Sequence, residues 1–227
     1  MPESITSADL GILAAIPRTQ FLDRIMPVIT VIGDNGIIPI IIALILICIP
    51  KTRKTGIAMG IAFALGGIFG NLLLKNIVAR TRPYDVVDGI KLLVPALSDY
   101  SFPSGHTLVC FEAATVAFVR ERKYVGICAY VIAAAVAYSR LYLYVHYPTD
   151  VLAGIILGII FGITASYLVD GLFRRPKMRT ENAHDRASKI KMSTMLTVLI
   201  FLYQNIPGIS HAIAKPSAND TALAVSA

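Results

Sequence analysis

The sequence predicts an all-α, polytopic membrane bundle of about six transmembrane helices, preceded by a short amphipathic N-terminal segment. Three observations carry that reading. Of the 227 residues 56% are hydrophobic and only 15% are charged, against about 25% charged in an ordinary soluble domain. Mean hydropathy is +0.68. Apolar runs recur at lengths close to the roughly 20 residues that a bilayer-spanning helix requires. This composition excludes a disordered chain, a coiled coil and a nucleic-acid-binding module. The formal net charge of +7 is therefore read as belonging to the loops of a membrane protein.

Residues 1–35 are half polar and are expected to form one or two short amphipathic helices on or dipping into the membrane surface. They mix charges and prolines without a basic start and an apolar block, so no cleavable signal peptide is expected. The first span is Gly36–Pro50, extendable backward through Gly33, and the second is Gly56–Leu74. Residues 80–103 form a long loop with Pro83, Pro95 and Pro103, too polar to face lipid. Thr107–Val119 and Val125–Ser139 are the third and fourth spans, joined by a tight basic turn at Arg120–Lys123. Val151–Val169 is the fifth. A basic linker, 174–191, leads to a sixth span at about Met192–Ile213 and a polar tail, 214–227. Residues 36–173 are thus the core membrane bundle.

Small residues recur at every fourth position: Gly154, Gly158, Gly162 and Ser166 in one row, Gly66 and Gly70 in another. Such rows let helix backbones approach in lipid and mark helix contacts, a lipid-binding groove being the alternative. Cys48, Cys110 and Cys128 all sit in apolar runs. Three lipid-buried thiols are not a disulfide framework. One set of loops carries thirteen Lys and Arg (around Lys51–Lys54, Arg120–Lys123 and 174–191) and the other eight. By the positive-inside bias the first set is cytoplasmic, and the loops around Arg82 and Arg140 face outward.

Basic residues on the outward side run against that bias and gather at span ends in three clusters. The first runs from Lys75 to Arg82-Pro83. Seven residues are about two helical turns, so Lys75 and Arg82 point the same way if the helix persists. The second is Ser101-Phe-Pro103-Ser104-Gly105-His106-Thr107, a tight turn into the third span, whose unsatisfied backbone N–H groups make an anion site. The third runs from Ser139-Arg140 through His146 to Asp150. Pro148 suits the first turn of a new helix, and four residues separate His146 from Asp150, close enough for a carboxylate–imidazole hydrogen bond. Three cations side by side repel unless a multiply charged anion lies between them, and a phosphate fits. There is no nucleotide-binding loop, so cleavage of the phosphate is favoured over energy coupling. His146 could attack phosphorus, and His106 could protonate the leaving oxygen.

These three segments resemble the type 2 phosphatidic acid phosphatase (PAP2) superfamily, whose pattern is K-x6-R-P, P-S-G-H and S-R-x5-H-x3-D. Every motif position and spacing is present, and the resemblance covers roughly residues 20–170. It implies a helical bundle with a phosphatase site that uses no metal or other cofactor. By position, Lys75, Arg82 and Arg140 would bind phosphate, and Ser104 and Gly105 would contact its oxygens. His106 would be the general acid, His146 the nucleophile that becomes phosphohistidine, and Asp150 its partner. Within the superfamily the chain resembles bacterial undecaprenyl-diphosphate phosphatases and related phospholipid phosphatases. The expected location is the bacterial plasma membrane with the site facing outward. The expected substrate is a lipid phosphate or diphosphate, foremost undecaprenyl diphosphate, with phosphatidate or phosphatidylglycerophosphate as alternatives.

Other polar residues receive plainer readings. Arg80 is expected to be a snorkelling anchor at a span end. His184 and His211 are read as polar trim. Tyr142, Tyr144 and Tyr147 are read as interfacial belt residues, or as the lining of a lipid entrance. Glu112, inside the third span, either makes a structural hydrogen bond within the bundle or tunes the site. No His/Cys/Asp set has metal-ligand spacing. The rival function is a lipid or phosphate transporter that binds without cleaving, disfavoured because no internal repeat is present. A vanadium haloperoxidase shares the site pattern but is soluble.

Overall fold

The computed structural model describes residues 3–173. The basic linker 174–191, the sixth span at Met192–Ile213, the tail, His184 and His211 lie outside the described residues. Every regular element among the described residues is helical. Helix α1 covers Glu3–Ala14. Helix α2, Gln20–Thr30, passes through a 3₁₀ stretch, Val31–Gly36, into α3, Ile37–Cys48. Helix α4, Arg53–Leu65, widens into a π-helical stretch, Gly66–Leu74, and ends in one turn, α5, Lys75–Val78. A single turn α6, Pro83–Val86, opens the long loop. Helices α7, Gly105–Arg120, α8, Lys123–Tyr142, and α9, Pro148–Phe173, complete the bundle.

Among the described residues four stretches are long and apolar enough to cross a membrane: Gln20–Cys48, Arg53–Val86, Lys123–Tyr142 and Pro148–Phe173. The protein is a multi-pass membrane protein. In the first of these stretches Gln20–Thr30 is continuous, through the 3₁₀ stretch, with the first span expected at Gly36–Pro50. Its polar face is spent on protein contacts: Tyr142 Oη donates to Asp23 (2.6 Å), and the Arg140 guanidinium donates to the Thr30 hydroxyl.

The third expected span is α7, of 16 residues, about 24 Å at 1.5 Å per residue. It packs against α4, α8 and α9 and touches α3 and the 3₁₀ stretch. That position accommodates its polar side chains: Thr107, Glu112 and Thr115 are all buried. The glycine row of α9 lies against it. A Cβ at Gly154 would meet the Ser104 carbonyl oxygen at 2.9 Å, and one at Gly162 would meet Thr115 Cβ at 2.6 Å. Gly66 in the π-helical stretch touches the Glu112 carboxylate, leaving no room for a side chain. Both rows are helix contacts. Cys48, Cys110 and Cys128 are free thiols.

Two interruptions bring polar groups to one end of the bundle. Asp34 has ψ 118°, and Asn35 and Gly36 have φ 49° and 67°, so the α2–α3 helix breaks there. Asn and Gly are the residues that adopt the left-handed region most readily. Broken helices at membrane depth occur where they line protein rather than lipid, and Gly33 indeed sits against His106. The second interruption is at Ala79, with φ 45°. The helix expected to carry Lys75 and Arg82 together therefore stops at Val78. Pro83 disfavours helical geometry at Arg82, which is extended (φ −78°, ψ 155°).

Candidate active site

The ends of α5, α7, α8 and α9, the broken helix and the loop before α7 converge at one end of the bundle. The structure brings together all eight residues singled out in the sequence. Lys75, at the end of the π-helical stretch, pairs with Asp99. Arg82 donates through Nη2 to the Asp99 carboxylate at 2.6 Å, and through Nη1 to the Val145 carbonyl at 2.6 Å. Arg140, in the last turn of α8, is buried among these groups, and its Nε has no partner among the described residues. Ser104 N-caps α7 without a side-chain cap bond, so its first N–H groups are open to an anion. Gly105 follows, and a Cβ there would sit 3.1 Å from Asn71 Oδ1.

His146 lies in the short segment between α8 and α9, with only 1% of its side chain exposed. Arg82 Nη1 is 3.3 Å from its Nε2. A guanidinium can only donate, so Nε2 is the unprotonated nitrogen and Nδ1 carries the hydrogen. The expected bond from Nδ1 to Asp150 is not made: Nδ1 and Oδ2 are 3.6 Å apart, beyond hydrogen-bond range. Ser101 lies between them. Its hydroxyl donates to Asp150 Oδ2 at 2.5 Å and sits 3.4 Å from Nδ1, so it can accept from the ring and pass the contact to the carboxylate. The four-residue spacing suggested direct contact, but Asp150 begins a new helix after Pro148 and is drawn instead to the Tyr147 N–H (3.0 Å). Burial, with the charges of Arg82, Arg140 and Lys75, holds His146 well below the ordinary histidine pKa. It is a neutral imidazole at pH 7.

His106 is in the first turn of α7 and has a direct carboxylate partner, Asp34 at the helix break, with Nε2 and Oδ1 2.6 Å apart. Asp99 completes the cluster. Its burial would raise its pKa, but Lys75 and then Arg82 outweigh that and hold it at about 2.

Two sequence expectations are corrected here. Arg80 is not a snorkelling anchor. Its side chain is 5% exposed, lies over the Tyr147 ring at 3.6 Å, and donates to Asp150 Oδ1 (2.7 Å) and Asp9 Oδ2 (2.8 Å). Residues 79–82 form no helix, and burial alternates along them, with Thr81 exposed between buried Arg80 and Arg82, so Arg80 follows Arg82 inward. Tyr142, Tyr144 and Tyr147 are not a belt: all three are buried, because α1 and α2 cover the segment between α8 and α9. Leu13 of α1 packs with Tyr144 and Tyr147. Glu112 is fully enclosed, and its Oε1 has no hydrogen-bond partner among the described residues.

Below the polar cluster, α3, α4, α7 and α8 form an apolar cavity of about 590 Å³ that is open on one side, lined by Ile32, Ile42, Met59, Ala114 and Ala133 among others. Asp9, Asp34 and Asp99 were not singled out in the sequence, and Ser101 stood in the second cluster without a role. Asp34, Asn35 and Gly36 together carried the one available signal, a polar turn inside an apolar run.

Residues 55–174 match the PAP2 superfamily. Over 114 residues the chain is 38% identical to an undecaprenyl-diphosphatase of Sulfolobus acidocaldarius, covering 50% of this chain and 55% of that protein. The chain thus spans about half the length of that relative. Over 171 residues it is 33% identical to phosphatidylglycerophosphatase B of Bacillus subtilis, covering 69% of this chain and 81% of that protein. The crystal structure of a transmembrane PAP2-type phosphatidylglycerolphosphate phosphatase from Bacillus subtilis superimposes with a TM-score of 0.64. Its sequence identity is 30%, and the match covers 77% of this chain and 90% of that one.

Proposed function

The chain belongs to the PAP2 superfamily, and from that premise we propose that it is a membrane lipid phosphatase acting through a phosphohistidine, with a polyprenyl diphosphate such as undecaprenyl diphosphate as its substrate. The observation that carries the reading is His146 itself. It is a buried, neutral imidazole whose bare Nε2 faces a guanidinium. Lys75, Arg82 and Arg140 surround the place where a phosphate would sit, with the uncapped start of α7 at Ser104 and Gly105. Such donors stabilise the charge on the equatorial oxygens of a phosphoryl group in flight. Nε2 attacks phosphorus in line, and the His106–Asp34 pair supplies a proton to the departing oxygen. Water, deprotonated by the same His106, then cleaves the N–P bond. The three cations carry the neutralisation that a metal ion would otherwise supply.

The apolar cavity below this cluster supports a hydrocarbon-bearing substrate. Names of two relatives, an undecaprenyl-diphosphatase and a phosphatidylglycerophosphatase, support the lipid diphosphate and glycerophospholipid alternatives. The charge asymmetry of the loops supports an outward-facing site in a bacterial plasma membrane. The test is phosphate release by purified protein in detergent with EDTA, comparing undecaprenyl diphosphate, phosphatidate and phosphatidylglycerophosphate. Turnover in chelator with preference for the polyprenyl diphosphate is expected. Loss of turnover restored by a divalent ion would sink the mechanism, and tight binding without release would return the transporter.

A further inference from the structure

Asp150 is held by groups other than the histidine it serves. Arg80 bridges it to Asp9 on α1, at 2.7 Å on one side and 2.8 Å on the other, and all three side chains are at most 5% exposed. Asp9 is itself fixed by Thr149, whose hydroxyl donates to Oδ2 at 2.5 Å and whose N–H donates to Oδ1 at 3.2 Å. Two carboxylates share one guanidinium, so the triad carries one net negative charge. Asp9 lies outside the matched segment 55–174, and no motif includes it.

We infer that Asp9 and Arg80 are positioning residues for phosphoryl transfer, with α1 acting as a clamp that keeps Asp150 oriented and the triad net anionic beside His146. The inference rests on the phosphohistidine reading above. When the Nε2 lone pair forms the N–P bond, the ring keeps its Nδ1–H and becomes cationic. The P–O bond to the lipid oxygen breaks with its electron pair, and that oxygen takes the proton from His106. An Arg80–Asp150 pair alone would be neutral toward the new cation. Asp9 takes up the second face of the guanidinium and leaves Asp150, through Ser101, with charge to offer the ring. Opposing this anion around His146 are Arg82, Arg140 and Lys75, which serve the substrate phosphate, and His106, which serves the leaving oxygen.

The experiment measures phosphohistidine formation in a single turnover and, separately, the affinity for inorganic phosphate. Asp9→Asn is expected to slow formation on the order of tenfold, the scale of lost outer hydrogen-bond partners, with phosphate affinity unchanged. Asp9→Glu, which keeps the charge, should recover most of the rate. Thr149→Val, which loosens Asp9 without removing charge, should give a smaller loss with the same split, and it decides the matter if Asp9→Asn does not fold. Wild-type formation in the deciding variant, or a loss matched by equally weakened phosphate binding, overturns the inference. Phosphoenzyme persisting in His146→Ala would instead overturn the phosphohistidine reading itself, and the positioning role of Asp9 and Arg80 with it.

Discussion

The two histidine halves of the site are built on opposite plans. His106 meets its carboxylate directly, at 2.6 Å, and that carboxylate is half exposed at the break between α2 and α3. His146 reaches a carboxylate that is fully buried, through an intervening hydroxyl, and that carboxylate is held by Arg80 and the Tyr147 N–H. One half is a single contact at a broken helix. The other is a network with no member free to move alone. A nucleophile needs fixed aim along the line of attack, whereas a group that first gives and then takes a proton needs access to the leaving oxygen and to water.

That contrast is most sharply broken by replacing the histidines. His146→Ala is expected to abolish phosphoenzyme formation for every substrate, as read by trapping acid-labile phosphohistidine. His106→Ala should lose about 10²–10⁴-fold on a lipid substrate, whose leaving oxygen must be protonated. A p-nitrophenyl phosphate burst should survive it, because nitrophenolate leaves without proton help. A burst in His146→Ala and none in His106→Ala would swap the roles.

A smaller effect separates the supporting groups. Asp34→Asn should slow lipid turnover about tenfold and spare the aryl phosphate burst, because it acts only through His106. If the burst falls equally, Asp34 serves both halves and the contrast fails.

The smallest effects concern charge and pH. His146 has a native pKa depressed by burial and by Arg82, Arg140 and Lys75. Stability from this group is full above the unfolded value of about 6.5 and declines as pH falls toward the native one. Phosphohistidine formation should accordingly stay flat between about pH 6 and 8 as far as His146 is concerned, measured on p-nitrophenyl phosphate bursts. Asp99, held at about 2, stays ionised across the same range and competes with phosphate for Lys75 and Arg82. Asp99→Asn should tighten inhibition by inorganic phosphate about two- to fivefold, the scale of a half-exposed ion pair.

What was legible in the sequence divides along the same line. Lys75, Arg82, Ser104, Gly105, His106, Arg140, His146 and Asp150 stand at fixed spacings near span ends, and span ends are what hydropathy locates. Their partners carried no such mark. Asp9 and Asp34 lie in a segment whose charges read as surface polarity, since nothing in a linear pattern tells that α1 folds over the bundle end. Arg80 turns inward because the chain leaves the expected helix at Ala79, which changes the way residue 80 points. Asp99 and Ser101 sit in an aperiodic loop, where only folding brings them to Arg82 and Asp150. Four stretches among the described residues read well because they are apolar over a bilayer's width, whereas α7 keeps Thr107, Glu112 and Thr115 buried among its neighbours. Thr19–Thr30 reads as polar in the sequence, and its polar groups meet Tyr142 and Arg140 of α8.

The glycine row of α9 carries a mechanical corollary. Gly154, Gly158 and Gly162 seat α9 against α7 with no room for a side chain between them, and the Ser104 N–H donates to the Asp150 carbonyl at the top of the seam (3.1 Å). The two helices are one stiff jaw, so the distance between the starts of α7 and α9, and with it the separation of His106 from Asp150, is set by backbone contact rather than by side chains. Across from this seam stands the helix interrupted at Asp34–Gly36, and there the link to α7 runs through side chains, Asp34 on His106.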